Sequence, residues 1–148
     1  MATVLTFGTF DVIHRGHIHM LQKAKEYGDH LVVILGRDET VHKVKGKKPF
    51  HTEVERKEML EALSVVDEVL LGHENDPYYL IGKVRPDIIA LGYDQEVFVD
   101  NLEKKITEFG LSTKIVRLPP YKGDHLHSSK LKKAMGMHDA ITDEPIQV

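Results

Sequence analysis

Five short apolar runs, separated by segments with helical spacing, constrain the fold of this chain more than any other feature. The runs are rich in Val and Ile, as buried strands are. They are TVLTF (3–7), HLVVIL (30–35), VDEVLLG (66–72), PDIIALG (86–92) and TKIVRL (113–118). Apolar residues between the runs recur at helical intervals. Three sets mark helices: Ile18, Leu21 and Ala24; Met59, Leu60 and Leu63; and Leu102, Ile106 and Phe109.

This alternation predicts a single-domain, Rossmann-like α/β fold, a doubly wound five-stranded parallel sheet with helices on both faces. The 148 residues suit one domain, because chains of roughly 100–200 residues usually fold as one unit. We expect that domain to cover residues 1–136 and a solvated, mobile tail to cover 137–148. Ligands of such folds bind at the carboxyl ends of the strands, so we expect the chemistry there.

Composition narrows the classes of function. The chain has 20 Lys and Arg against 23 Asp and Glu, a formal net charge of -3, so no bulk positive charge attracts nucleic acid or a membrane surface. It has no cysteine, which excludes disulfides, thiolate metal sites and cysteine nucleophiles and fits a reducing compartment. The N-terminal apolar run is too short to span a membrane. We expect a cytoplasmic protein that binds small molecules and neither nucleic acid nor a membrane.

The decapeptide GTFDVIHRGH (8–17) lies where the first predicted strand gives way to the first predicted helix. His14 and His17 therefore lie near a helix N-terminus, whose N–H groups and dipole attract phosphate. A zinc site would need further ligands. The candidates are Asp11, His19 and His127. No spacing typical of zinc proteins joins them, and Arg15 and Gly16 suit an exposed turn better than a core. The pattern favours a phosphate site.

The pattern G-T-F-D-x-x-H-x-G-H resembles the signature of the cytidylyltransferase-like nucleotidyltransferases. This is the HxGH branch of a class that also includes pantetheine-phosphate adenylyltransferase and the class I aminoacyl-tRNA synthetases. The resemblance covers nearly the whole chain, from the decapeptide through a lysine-bearing loop and Arg56 to HSS (127–129). It implies that a phosphate oxygen of an acceptor attacks the α-phosphorus of a nucleoside triphosphate and that pyrophosphate leaves. Such transfer needs positioning and charge neutralisation rather than a covalent nucleophile.

The resemblance assigns roles around the decapeptide. His14 and His17 contact the triphosphate, and His17 stabilises the pentavalent α-phosphoryl state. Magnesium bridges the phosphate oxygens, with Asp11 as a candidate indirect ligand. Gly16 lets the backbone approach closely. The implied nucleotide-binding set is Thr9, Phe10, His14, Arg15, Gly16, His17, Asp94, Tyr121, Ser128 and Ser129.

The loop HKVKGKK (42–48) carries the family's phosphate-binding lysines in this resemblance, and Lys45 and Lys47 align best with them. Its place after the second strand favours a mobile lid over the β- and γ-phosphates. The alternative is a solvated basic loop. Arg56, on the second predicted helix, either reaches the triphosphate or caps its own helix face.

The C-terminal part departs from the family. Cytidylyltransferases of this type carry R-T-x-G-x-S-[ST] before the last helix, whereas this chain reads KGDHLHSS (122–129). Ser128 is expected to cap that helix and Ser129 to donate to phosphate. Asp94 is expected to contact the nucleotide and Tyr121 to line the adenine pocket. The alternatives are a turn aspartate and an ordinary loop tyrosine. The residues available to replace the missing arginine are Lys122, His125 and His127.

Two enzymes share such an active site, glycerol-3-phosphate cytidylyltransferase and archaeal-type FAD synthase, which transfers AMP from ATP to FMN. Ser64 stands where the glycerol-phosphate enzymes carry an arginine before the third strand, and GYDQ (92–95) where they read GDDW. Losing a charge-assisted phosphate contact costs about 1.5–3 kcal/mol, so these departures favour ATP and FMN as substrates. Glycerol phosphate, other phosphate acceptors and a noncatalytic nucleotide-binding module stay open. Family resemblance also implies a homodimer.

Overall fold

The computed structural model describes residues 2–92 and 99–120, apart from the side chains of residues 99 and 100. Within these ranges five strands form one all-parallel sheet in the order β3-β2-β1-β4-β5. The strands are β1 (Thr3–Gly8), β2 (His30–Leu35), β3 (Glu68–Leu71), β4 (Ile88–Leu91) and β5 (Lys114–Arg117). Each lies in one of the five apolar runs, so the predicted five-stranded parallel sheet is confirmed.

Five helices connect the strands: α1 (Arg15–Lys25), α2 (Asp38–Lys45), α3 (Glu53–Glu61), α4 (Tyr79–Val84) and α5 (Val99–Glu108). The three predicted helices correspond to α1, α3 and α5, although α3 ends before Leu63. The helices α2 and α4 were not predicted. The position of α2 corrects the prediction of a loop over residues 42–48. Residues 42–45, expected in a loop, form the last turn of α2, which ends where Gly46 adopts a φ of 77°. The lysine-bearing loop therefore begins after Lys45.

The alternating side chains of each strand pack against helices on both faces of the sheet. One face carries Leu5, Phe7, Val32 and Ile34, packed with Ile81 of α4 and Leu102 and Ile106 of α5. The other carries Val4, Leu31, Val33 and Leu35, packed with Leu21 and Ala24 of α1 and Leu60 of α3. All fourteen side chains are buried. The predicted doubly wound architecture is confirmed.

The order of the strands reverses beside β1. The chain runs outward from β1 through β2 to β3 and then crosses back to β4 and β5. A crevice forms where such a reversal occurs, outside the carboxyl ends of the two diverging strands. Here it lies between β1 and β4, so the decapeptide that leaves β1 enters the position where this fold binds ligands. None of the helices in the described ranges is long and apolar enough to cross a membrane.

Several predicted contacts lie outside the described residues, and their roles stay predictions. They are Asp94, Tyr121, Ser128 and Ser129, the candidate basic residues Lys122, His125 and His127, and the tail 137–148.

Candidate active site

His14 and His17 hold the N-terminus of α1 together. His14 is the residue that caps this helix, and its Nδ1 accepts the backbone N–H of Gly16 at 3.0 Å. The Nδ1 of His17 accepts the backbone N–H of His14 at 3.2 Å, and the His14 side chain in turn accepts from the backbone of His17. Ser or Thr paired with Glu usually makes this reciprocal capping box. In this chain two imidazoles make it.

The caps fix the chemical form of both imidazoles. A ring nitrogen that accepts a hydrogen bond carries no proton, so a neutral imidazole with an accepting Nδ1 has its proton on Nε2. The two rings are tilted by 30°, with centroids 4.1 Å apart, and His17 is only 8% exposed. The hydrogen-bond pattern therefore puts the proton of each ring on Nε2, and an N–H donor of this kind suits phosphate oxygens.

Gly16 is required by the ring of His14. A Cβ at position 16 would lie 2.8 Å from Cε1 and 3.0 Å from Nδ1 of that ring. From the sequence, Gly16 was expected to let the backbone approach a ligand closely. The structure adds a local reason, because any side chain here would push His14 away from the N–H group that it caps.

The ring of Phe10 packs against the ring of His17. Phe10 has a φ of 48°, unusual for a non-glycine residue, and its ring is 2% exposed. The ring meets His17 edge-on, with centroids 5.3 Å apart. Gly8 leaves the space for it, since a Cβ there would lie 2.5 Å from the ring. The packing of the Phe10 ring between Gly8 and His17 thus stabilises the turn after β1 that carries the candidate phosphate site.

Asp11 connects this turn to the segment that precedes α3. Its side chain is fully buried, and its two carboxylate oxygens accept the backbone N–H groups of Phe50 at 2.8 Å and His51 at 2.9 Å. We call this pair of bonds the Asp11 clamp. These two bonds to the main chain satisfy both oxygens of the buried Asp11 carboxylate. An indirect role of Asp11 in binding magnesium stays a prediction. The clamp brings the residues that follow Lys47 next to the decapeptide.

Arg56 makes a second connection among the same segments. It is the largest fully buried side chain in the described residues. Its Nη1 donates to the carbonyl of Thr9 at 2.9 Å, its Nε to the carbonyl of His51 at 3.1 Å, and its Nη2 to Asp38 at 2.8 Å. The sequence offered two roles for Arg56, a contact with the triphosphate or a cap on its own helix face, and a contact with the triphosphate stays a prediction. Arg56 joins the β1 turn to the starts of α2 and α3.

A further polar chain reaches the end of β3. The Nε of Arg37 donates to the carbonyl of Gly72 at 2.5 Å, and its Nη1 lies 3.4 Å from Glu53. The other oxygen of Glu53 accepts the backbone N–H of Asp38 at 2.9 Å. Arg37, Asp38 and Glu53 were not predicted from the sequence to take part in the site. The signals available were the polar RDE directly after β2 and the Thr52 and Glu55 capping box that begins α3.

The candidate lysines lie on either side of Gly46. Lys45 is the last residue of α2 and is half-buried, whereas Lys47 is exposed. Lys47 lies three residues before Phe50, whose backbone the Asp11 clamp holds. Arg15 is the first residue of α1 and is exposed. The phosphate contacts predicted for these three cations stay predictions.

Ser64 lies far from the histidines within one chain. It is exposed, in the turn after α3 and ahead of β3. That turn is at the amino edge of the sheet, whereas the decapeptide leaves the carboxyl edge. The inference about the acceptor phosphate that was drawn from Ser64 stays a prediction.

Comparisons with known proteins agree with this geometry. Residues 5–134 match the sequence profile of the family described as cytidylyltransferase-like. The chain is 42% identical to the FAD synthase of Picrophilus torridus over 130 residues, 88% of this chain and 93% of that protein. It is 47% identical to the FAD synthase of Methanosarcina barkeri over 120 residues, 80% and 84% of the two chains.

A solved structure is also similar. The lipopolysaccharide core biosynthesis protein from Thermoplasma volcanium superimposes with a TM-score of 0.77 at 43% identity, covering 82% of this chain and 99% of that one. The chain is therefore similar to that protein both in sequence and in fold.

Proposed function

The chain belongs to the cytidylyltransferase-like family, and on that premise we propose that it is an FMN adenylyltransferase. It transfers AMP from ATP to FMN and releases FAD and pyrophosphate. The observation that carries the proposal is the pair of mutually capped histidines at the reversal of strand order. Relatives named FAD synthase, 42% and 47% identical over most of the chain, support FMN as the acceptor.

The reaction forms one bond and breaks one. An oxygen of the FMN phosphate attacks the α-phosphorus of ATP, and the bond from that phosphorus to the oxygen bridging to the β-phosphate breaks. Negative charge then grows on the α-phosphoryl oxygens and on the leaving pyrophosphate. Neutral imidazoles with a proton on Nε2, as the caps of His14 and His17 require, donate hydrogen bonds to such oxygens. Losing one preorganised donor of this kind typically lowers kcat by about 10²–10³-fold.

The backbone of Thr9 and Phe10 supports the same phosphates in this proposal, as the family resemblance implies. Lys45 and Lys47 neutralise the β- and γ-phosphates. This assignment is supported by the Asp11 clamp, which ties residues 46–52, directly after Lys45, to the decapeptide. Because phosphoryl transfer depends chiefly on positioning and charge neutralisation, the clamp and Arg56 serve the reaction by fixing these segments relative to one another.

Magnesium is the divalent ion that we propose for the reaction. The described residues contain no group of three or more His, Asp or Glu side chains arranged to hold a metal. Mg²⁺ is commonly held by substrate phosphates, water and one or two carboxylates, so we propose that it enters with ATP. When bound, it neutralises charge on the phosphate oxygens.

One assay tests the proposal. Purified protein is incubated with magnesium, with FMN or glycerol-3-phosphate as acceptor, and with ATP or CTP as donor, and the products are separated by chromatography. FAD formed from ATP and FMN is the expected result. CDP-glycerol without FAD would make the protein a glycerol-3-phosphate cytidylyltransferase, and nucleotide binding without any product would make it a noncatalytic module.

The homodimer and the cytoplasmic location expected from the sequence stay predictions. Gel filtration with light scattering tests the first, and a single species at the 16.8 kDa of one chain would contradict it.

A further inference from the structure

A cavity of about 310 Å³ opens past the end of β3, at the same edge of the sheet as the histidines. The family motifs assign nothing to it. The wall combines the aliphatic side chains of Leu71 and Leu80 and the rings of His73 and Tyr79 with polar and charged groups from Asn75, Arg37 and Glu74. This mixed lining suits a flat ring system that carries polar groups along one edge.

His73 and Tyr79 form an aromatic platform in this cavity. Their ring centroids are 4.5 Å apart and the rings are tilted by 37°, and Tyr79 is 41% exposed. The Nδ1 of His73 accepts the backbone N–H groups of Asn75 at 3.1 Å and Asp76 at 3.0 Å, which fixes that ring against the loop. The Tyr79 ring, exposed at the start of α4 and next to this fixed loop, is ready to stack on a second flat ring.

The position of the platform suits an acceptor. ATP in the crevice between β1 and β4 leaves the β2 and β3 side of the same edge for the other substrate. The end of β3 lies two strand spacings from β1, roughly 10 Å. The ribityl chain of FMN separates its phosphate from its ring system by a distance of the same order. A phosphate beside His14 and His17 therefore places the flavin ring at the end of β3.

We propose that this cavity binds the isoalloxazine ring of FMN, stacked on the platform of Tyr79 and His73. The proposal rests on the proposed function and adds the subsite that selects a flavin. Leu71 and Leu80 match the apolar dimethylbenzene part of the ring, and the Asn75 amide matches its carbonyl- and imide-bearing edge. The ammonium of Lys83 lies 5.5 Å from the Tyr79 centroid, and its exposed, flexible side chain can follow that edge.

The experiment compares Tyr79→Ala, Tyr79→Phe and Tyr27→Ala with the wild-type protein. Tyr27 is a matched control, because it is 46% exposed and lies in the turn between α1 and β2, at the amino edge of the sheet. Flavin fluorescence measures FMN binding, since stacking on an aromatic ring quenches it, and initial rates give KM for FMN and for ATP. Circular dichroism checks that each variant is folded.

Tyr79→Ala is expected to raise KM for FMN and weaken FMN binding roughly tenfold, with KM for ATP unchanged within about twofold. Tyr79→Phe keeps the ring and is expected to behave as wild type, as is Tyr27→Ala. An unchanged KM for FMN in a folded Tyr79→Ala variant overturns the subsite, and so does a rise in KM for ATP instead. Wild-type protein that makes no FAD overturns the proposed function, which is a separate outcome.

Discussion

The side chains of His14 and His17 each accept a hydrogen bond from the backbone N–H of the other residue, at the N-terminus of α1. The same pair of side chains therefore caps the helix and carries two Nε2–H donors. Helix capping and phosphate binding are usually assigned to different residues. Here they can be separated by substitution, because asparagine places an oxygen near the position of Nδ1 and has no counterpart of Nε2.

His17→Asn is expected to keep the cap and lose the reaction. We expect kcat to fall about 10²–10³-fold, as for the loss of one preorganised donor, with the free energy of unfolding nearly unchanged. His17→Ala is expected to lose the same activity and also about 1 kcal/mol of stability. Steady-state kinetics and urea unfolding provide the two measurements. Wild-type turnover in His17→Asn would show that Nε2 takes no part in the reaction.

Gly16→Ala is expected to displace the ring of His14, because the added Cβ would lie 2.8 Å from Cε1. A misplacement of about 1 Å at a reacting group can cost roughly 10²-fold in rate, and we expect a loss of that order in kcat/KM. Gly110→Ala is the control. It strains the backbone at a φ of 69° but meets no atom within 4 Å, so it is expected to lower stability by about 1 kcal/mol and leave kcat/KM intact. Equal losses of activity in the two variants would contradict this explanation.

Asp11→Asn is expected to break half of the Asp11 clamp, since an amide offers one oxygen where the carboxylate offers two. The backbone N–H left unpaired should cost about 1–3 kcal/mol of stability, and KM for ATP should rise as residues 46–52 separate from the decapeptide. Asp87→Asn is the control, because the Asp87 side chain accepts the backbone N–H of Thr3 through one carboxylate oxygen. Half-saturation by magnesium is expected to stay constant in both. A large shift in it for Asp11→Asn alone would assign Asp11 to the metal.

Arg56→Lys is expected to be severely destabilising. A single ammonium cannot reach the two carbonyls and the carboxylate that the guanidinium joins, and breaking a buried ion pair costs about 3–5 kcal/mol. The neighbouring Lys57→Ala removes only an exposed ion pair with Glu61 and should cost less than about 0.5 kcal/mol. Urea unfolding measures both. A small loss in Arg56→Lys would show that the segments hold together without this network.

Asp67 is expected to make stability depend on pH in the acid range. Its carboxylate accepts from the Lys25 ammonium at 2.5 Å and from the Leu31 N–H at 2.7 Å, and the Lys25 bond is the main reason that its pKa is below the ordinary 3.8. The unfolded chain therefore takes up the proton first as pH falls. The stabilisation is present above pH 3.8 and is lost as pH falls through 3.8 to the lower pKa of the folded state. Asp67→Asn should be less stable than wild type at pH 6 in urea unfolding, and the difference should shrink as the pH falls below 3.8.

The strands could be predicted because their residues alternate between two buried faces and are therefore apolar almost throughout. The two missed helices lack such a signal. In the described part of α2 only Val41 is buried, so little apolar spacing marks that helix, and α4 has six residues, fewer than two turns. Missing α2 led to the incorrect assignment of residues 42–45 to a loop.

The histidines of the site could be predicted because they lie together in one short motif. The backbone N–H groups that Asp11 binds and the Thr9 carbonyl that Arg56 binds could not, since they lie 39 to 47 residues away in sequence. A backbone N–H or carbonyl leaves no mark in the sequence that identifies its partner.

The Asp11 clamp holds amide hydrogens and no side chain, so the identities of residues 50 and 51 are decoupled from the attachment of their segment. Any residue except proline supplies the required N–H. The exposed ring of Phe50 can therefore be exchanged for other side chains while residues 46–52 stay in place. Substitutions at positions 50 and 51 other than proline are thus expected to leave the clamp, the histidines and the fold intact.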